Sequence, residues 1–169
     1  MKVRLLLFCL PLLFTGCSWV VLRSPLGMMG AGSYPYVECY TINSDLHTAI
    51  RAAVSLKVEN PNYEVPQDSS STGTLADGDL SYWYRMYFYD PEEKTIYMAG
   101  LKEEDKPNTS TFALILVCPY DHEQNRFGEM ERINMDFRLK RNMHYLKRFK
   151  KLFVETIREK AVDSGRPLQ

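Results

Sequence analysis

Hydrophobic spacing changes along the chain from helical to alternating and back to helical, and each change predicts an element. Leu46, Ala49, Ile50, Ala53 and Val54 recur every three or four positions, which predicts an amphipathic helix over 44–57. Asn43 or Ser44 supplies its N-cap, Asp45 suits its positive end, and Asn60-Pro61 stops it. Tyr34 to Ile42, just before, is aromatic and β-branched enough for a short strand. The polar run 67–79, rich in Ser, Gly and Asp, predicts a mobile loop. From Leu80 the chain turns β. Leu80 to Tyr89 and Thr95 to Leu101 flank Asp90-Pro91-Glu92-Glu93, which has turn chemistry and predicts a hairpin. Thr109 to Cys118 is almost continuously apolar, as a strand covered on both faces is. Arg132 to Lys140 alternates, with Ile133, Met135, Phe137 and Leu139 predicted inward and Arg132, Asn134, Asp136, Arg138 and Lys140 outward. Asn142 then caps a last helix reaching Ala161, with Leu146, Phe149, Leu152, Phe153 and Ile157 as its inner stripe. Helix, strands, helix in that order predicts an α+β fold: an antiparallel sheet of about four to five strands with two helices packed on one face, a two-layer sandwich. That architecture hosts many functions and selects none.

The start of the chain follows different rules. Lys2 and Arg4 precede an apolar run from Leu5 to Phe14 that is too short to span a bilayer, and Thr15-Gly16-Cys17 places small residues before a cysteine. No Ala occurs before Ala31, so an Ala-x-Ala-like cleavage site is missing. These residues resemble the type II signal peptide, or lipobox leader, of bacterial lipoproteins. The resemblance covers the leader alone. It implies that residues 1–16 are removed and that Cys17 is acylated, by palmitate among other chains, as the first residue of the mature protein. It also implies an envelope location. No acidic cluster follows the cysteine, so by the same resemblance the protein sits at the outer membrane facing the periplasm. Residues 17–33 then read as a tether, and 34–169 as a single domain containing the loop at 67–79.

Charge sharpens this organisation. Residues 17–131 carry 8 basic and 17 acidic side chains, whereas 132–169 carry 11 basic and 4 acidic ones. A basic C-terminal quarter therefore faces an acidic body, and mutual neutralisation across the fold is the plain expectation. Export places Cys39 and Cys118 in an oxidising compartment, where they either form a disulfide or remain two small buried hydrophobes. No Cys-x-x-Cys or paired-His spacing occurs, so no metal site and no cofactor is expected.

Candidate chemistry is sparse. Ser69, Ser70 and Ser71 lack a nucleophile elbow, and the glycines at 27, 30 and 32 precede no strand–helix unit. Asp121-His122-Glu123 puts three ligand types in a row after a strand, which makes an envelope hydrolase or a metal-binding protein the alternative function. The favoured expectation is a non-enzymatic binding or assembly module, held to the membrane by its N-terminal lipid and meeting an envelope protein partner. Its location excludes nucleic acid. The preferred surface is the outward half of the aromatic strand (Tyr82, Trp83, Tyr84, Tyr87, Tyr89), because Tyr and Trp dominate interface anchors. The basic helix face, Lys147, Arg148, Lys150 and Lys151, comes second.

Overall fold

Strand β5 (Ser110–Asp121) is the spine on which the rest is assembled. Its apolar run makes it insoluble as an edge, and the fold pairs it on both sides. Strand β4 (Thr95–Glu103) runs antiparallel along one side. The other side is shared out: β1 (Glu38–Ile42) pairs Ser110 to Leu114, β7 (Glu131–Arg132) pairs Leu116 and Val117, and β6 (Arg126–Phe127) pairs Tyr120 and Asp121. Strand β3 (Trp83–Asp90) forms the expected hairpin with β4, and the short β2 (Gly78–Leu80) closes that edge, giving the order β1-β5-β4-β3-β2. A bulge between Met98 and Ala99 of β4 leaves Ile115 without a cross-strand partner there, and its carbonyl accepts from Ile133 N at 3.3 Å. This computed structural model describes residues 36–67, 75–80 and 82–164, all within one compact unit that begins at Tyr36. The leader, Cys17, the tether and the middle of the 67–79 loop lie outside the described residues.

The helices lie on one face of this antiparallel sheet, so the α+β two-layer arrangement is the one expected. Helix α1 (Leu46–Glu59) is capped by Asp45, not Asn43 or Ser44: Asp45 Oδ1 accepts from Thr48 N at 2.9 Å. Its buried stripe (Ala49, Ala52, Ala53, Leu56) is mostly alanine, which lets α1 lie close against α3 (Glu155–Ser164). Helix α2 (Leu139–Phe149) continues into α3 through a π-helical turn (Lys150–Val154). That turn keeps Phe149, Phe153, Val154 and Ile157 all in the core, against Met86, Phe88, Tyr97, Phe112 and Leu114 from the sheet.

The Thr48 hydroxyl and backbone N–H hold the Asp45 carboxyl below its ordinary range, which favours the charged form in the fold. Its contribution is therefore present above about pH 4 and is lost as pH falls further. Asp45→Ala should cost about 0.5–2 kcal/mol in urea denaturation at neutral pH. The deficit should shrink toward zero in acid, and an undiminished deficit there would show that the carboxylate is not the stabilising form.

Two sequence expectations give way. Arg132 to Lys140 is not a strand beyond Arg132. Ile133 is buried, but Met135 and Leu139 are exposed and Phe137 is only half-buried. The polar residues expected to face outward instead build a turn. Asn134 adopts a left-handed φ of 61°, which Asn tolerates better than most residues. Asp136 accepts from Arg132 N at 2.7 Å and from its guanidinium at 2.9 and 3.0 Å. Asn142 is not a cap either. It is buried inside α2 and exchanges hydrogen bonds with Asn134, at 2.9 Å to its N–H and 2.6 Å to its side chain.

Of the two alternatives for Cys39 and Cys118, the strand register does not favour the disulfide. Cys39 sits opposite Ala113, and Cys118 lies five residues further along β5, roughly 17 Å away at the strand rise. A disulfide needs Cα atoms within about 7 Å. Cys39 is exposed, whereas Cys118 is buried and its Sγ donates to the Gly128 carbonyl at 3.4 Å.

Candidate functional site

The aromatic strand is largely spent inside the fold. Tyr84, Met86 and Phe88 point to the helices, with Tyr84 half-buried at the edge of that core. The other face, expected to be a binding platform, is covered as well: Trp83, Tyr87 and Tyr89 are only 3, 4 and 6% exposed. Local packing supplies part of the reason. Trp83 lies so close over Gly100 that a Cβ there would meet its ring at 2.7 Å, with Ile115 Cδ1 at 3.1 Å. Arg85 stacks over the Tyr87 ring at 5.5 Å. Tyr89 meets Tyr120 edge-on at 5.9 Å, and its hydroxyl is the hydrogen-bond partner of His122 Nε2. Burial accordingly pushes the Tyr89 phenol above its ordinary pKa. Of the expected platform only Tyr82 is well exposed.

The Asp121-His122-Glu123 loop does not converge on a point. Asp121 Oδ1 accepts from Glu123 N at 2.9 Å and Gln124 N at 3.1 Å, so its carboxylate builds the turn. His122 leans back onto the Tyr89 and Tyr120 rings, and Glu123 is exposed. Among the described residues no three His, Cys, Asp or Glu side chains are grouped as metal ligands.

The basic quarter divides in two. One set of cations pays the acidic body back: Arg148 reaches Asp90 and Glu92 on the β3–β4 turn, Arg141 reaches Glu131 at 3.2 Å, and Lys160 reaches Glu59. Arg148, expected on the outer face, is thus turned inward, and the carboxylates around it push its pKa further above the ordinary guanidinium value. The other set, Arg138, Lys140, Lys147, Lys150 and Lys151, is exposed and has no ion pair among the described residues.

Beside those lysines runs an apolar shoulder that the sequence reading missed. Leu139, Met143 and Leu146 recur at i, i+4 and i+7 along α2, one step round from the buried Asn142, Tyr145 and Phe149. Leu139 is 77% exposed and Met143 54%, while Leu146 and Tyr40 form the floor of a groove of about 940 Å³ between α2 and β1. Burial pushes the Tyr40 phenol well above its ordinary pKa, as expected of a ring serving the floor. The sequence signal was present, since Leu139 and Met143 share a helical spacing. It was masked because a helix beginning at Asn142 leaves Leu139 in the preceding strand.

The chain matches no family model, no curated protein and no solved structure.

Proposed function

We propose that this is a lipid-anchored cell-envelope protein whose body is a non-enzymatic binding module, with the exposed shoulder of α2 as its contact surface. One observation supports that surface above all. Large apolar side chains, Leu139 and Met143, stand in solvent beside four lysines with no ion pair among the described residues. Exposed apolar residues rimmed by charge mark interaction sites on soluble domains. The anchor rests on the leader, and no described helix is long and apolar enough to cross a membrane. An outer-membrane position facing the periplasm, with its partner in the envelope, follows from the same leader.

Labelling cells with radioactive palmitate tests the anchor. The intact protein should take up label and fractionate with membranes, whereas Cys17→Ser should abolish labelling and leave an uncleaved or mislocalised precursor. Normal processing and membrane fractionation of Cys17→Ser would remove the lipoprotein reading. His122→Ala discriminates the hydrolase alternative: loss of a cellular phenotype with that change, while Leu139 and Met143 variants are silent, would favour an enzyme.

A further inference from the structure

We infer that the shoulder of α2 docks onto an anionic phospholipid surface, so that the body lies against the bilayer instead of hanging from its tether. This rests on the binding-module reading above and names its occupant.

Three observations choose a bilayer over an acidic protein segment. The first is the kind of cation. Lysines 140, 147, 150 and 151 are compact, hydrated point charges suited to a diffuse layer of headgroups. Three of the arginines nearby, which would grip a carboxylate in a fixed bidentate geometry, are committed within the fold: Arg132 to Asp136, Arg141 to Glu131 and Arg148 to Asp90. Arg138, beside Leu139, is exposed with no ion pair among the described residues, so lysines outnumber it four to one on this face. The second is the shape of the apolar part. Leu139 and Met143 project, and Met135 on the adjoining turn is also 54% exposed. Projecting apolar side chains flanked by lysines are the composition of helices that lie in a membrane interface.

The third is where the chain arrives. Tyr36, the first described residue, is held at this same face: its carbonyl accepts from Asn134 Nδ2 at 3.0 Å, and Arg132 lies over its ring at 5.9 Å. Glu38, two residues on, lines the groove. Tyr36 follows Cys17 by nineteen positions, a link of at most about 65 Å fully extended. An acylated Cys17 therefore delivers the body to the membrane with this face within reach. Each lysine near an anionic surface adds attraction that fades within a Debye length, so the contact is salt-sensitive.

The test uses the mature chain, residues 17–169, carrying Cys17→Ser to remove the acyl group; the described core draws only on residues 40 to 161, so it is intact in that chain. Binding is measured by co-sedimentation with vesicles of phosphatidylglycerol and phosphatidylcholine, and with vesicles of phosphatidylcholine alone. The protein should bind the anionic vesicles, weaken with added salt and bind the neutral ones poorly. Leu139→Ser with Met143→Ser should weaken anionic binding at least about tenfold. Lys140→Glu with Lys147→Glu should weaken it about thirtyfold or more. All four positions are exposed, so circular dichroism should show an unchanged fold. No binding to anionic vesicles, or binding indifferent to both double variants, overturns the inference. Vesicle binding that persists although Cys17 is never labelled in cells would overturn the anchor and leave this surface standing.

Discussion

Phe149→Ala should lower the free energy of unfolding by about 3–5 kcal/mol, the usual cost of emptying a fully buried aromatic site. Phe149 is completely buried where α2 passes into the π turn, and its ring touches four others: Phe112 at 5.2 Å, Phe153 at 5.5 Å, Tyr97 at 5.7 Å and Tyr40 at 6.0 Å. These rings come from β1, β4, β5 and the π turn, so no single element can close the cavity by moving. The melting temperature should fall by on the order of 10 °C. Leu139→Ala, ten residues earlier and in solvent, should change stability by no more than about 0.5 kcal/mol. Equal urea midpoints for the two variants would show that α2 packs by a different face.

Arg148→Met should cost about 3–5 kcal/mol, and more than Asp90→Asn. The order follows from who is stranded. Asp90 is 1% exposed, and Arg148 Nη2 donates to its Oδ1 at 2.8 Å while Nε donates to Oδ2. Removing the guanidinium leaves a buried carboxylate with, among the described residues, the Glu92 and Glu93 backbone N–H groups as its remaining donors, at 3.1 and 3.4 Å. Removing the Asp90 charge leaves Arg148 still paired with Glu92 at 2.6 Å and within reach of water. The pair fastens the β3–β4 turn to α2, so the double variant with Asp90→Asn should recover part of the loss. Urea denaturation of the three variants decides this, and an Asp90→Asn variant weaker than Arg148→Met would reverse the assignment.

Residues flanking the 67–79 loop show a similar device that no local pattern announced. Lys57 is buried along its stem, and its Nζ meets Asp77 at 2.7 Å and Glu64 at 3.3 Å. Asp77 in turn accepts from Tyr87 N at 2.9 Å. In the sequence Lys57 is merely the last basic residue of an amphipathic helix. Only the return of the chain beside β3 makes it a strut.

Periodicity by itself determined the class of fold. The Phe149, Phe153 and Ile157 spacing and the apolar run through Phe112 to Val117 each bury themselves in one way, so the helix, the spine strand and the hairpin stand close to where the pattern puts them. The tertiary structure alone decided what each face meets. Alternation at 132–140 is satisfied equally by a strand and by a turn whose Asn and Asp bond to the backbone, and the contacts with Asn142 and Tyr36 select the turn. A strand rich in tyrosine is apolar on both faces whether or not one of them is free, and Gly100, Tyr120 and His122 occupy the face that looked available. Charge obeys the same limit. The sequence shows eleven cations in its last quarter, but an ion pair is a meeting of distant residues, so only the fold separates Arg148, bound to Asp90, from the lysines left in solvent.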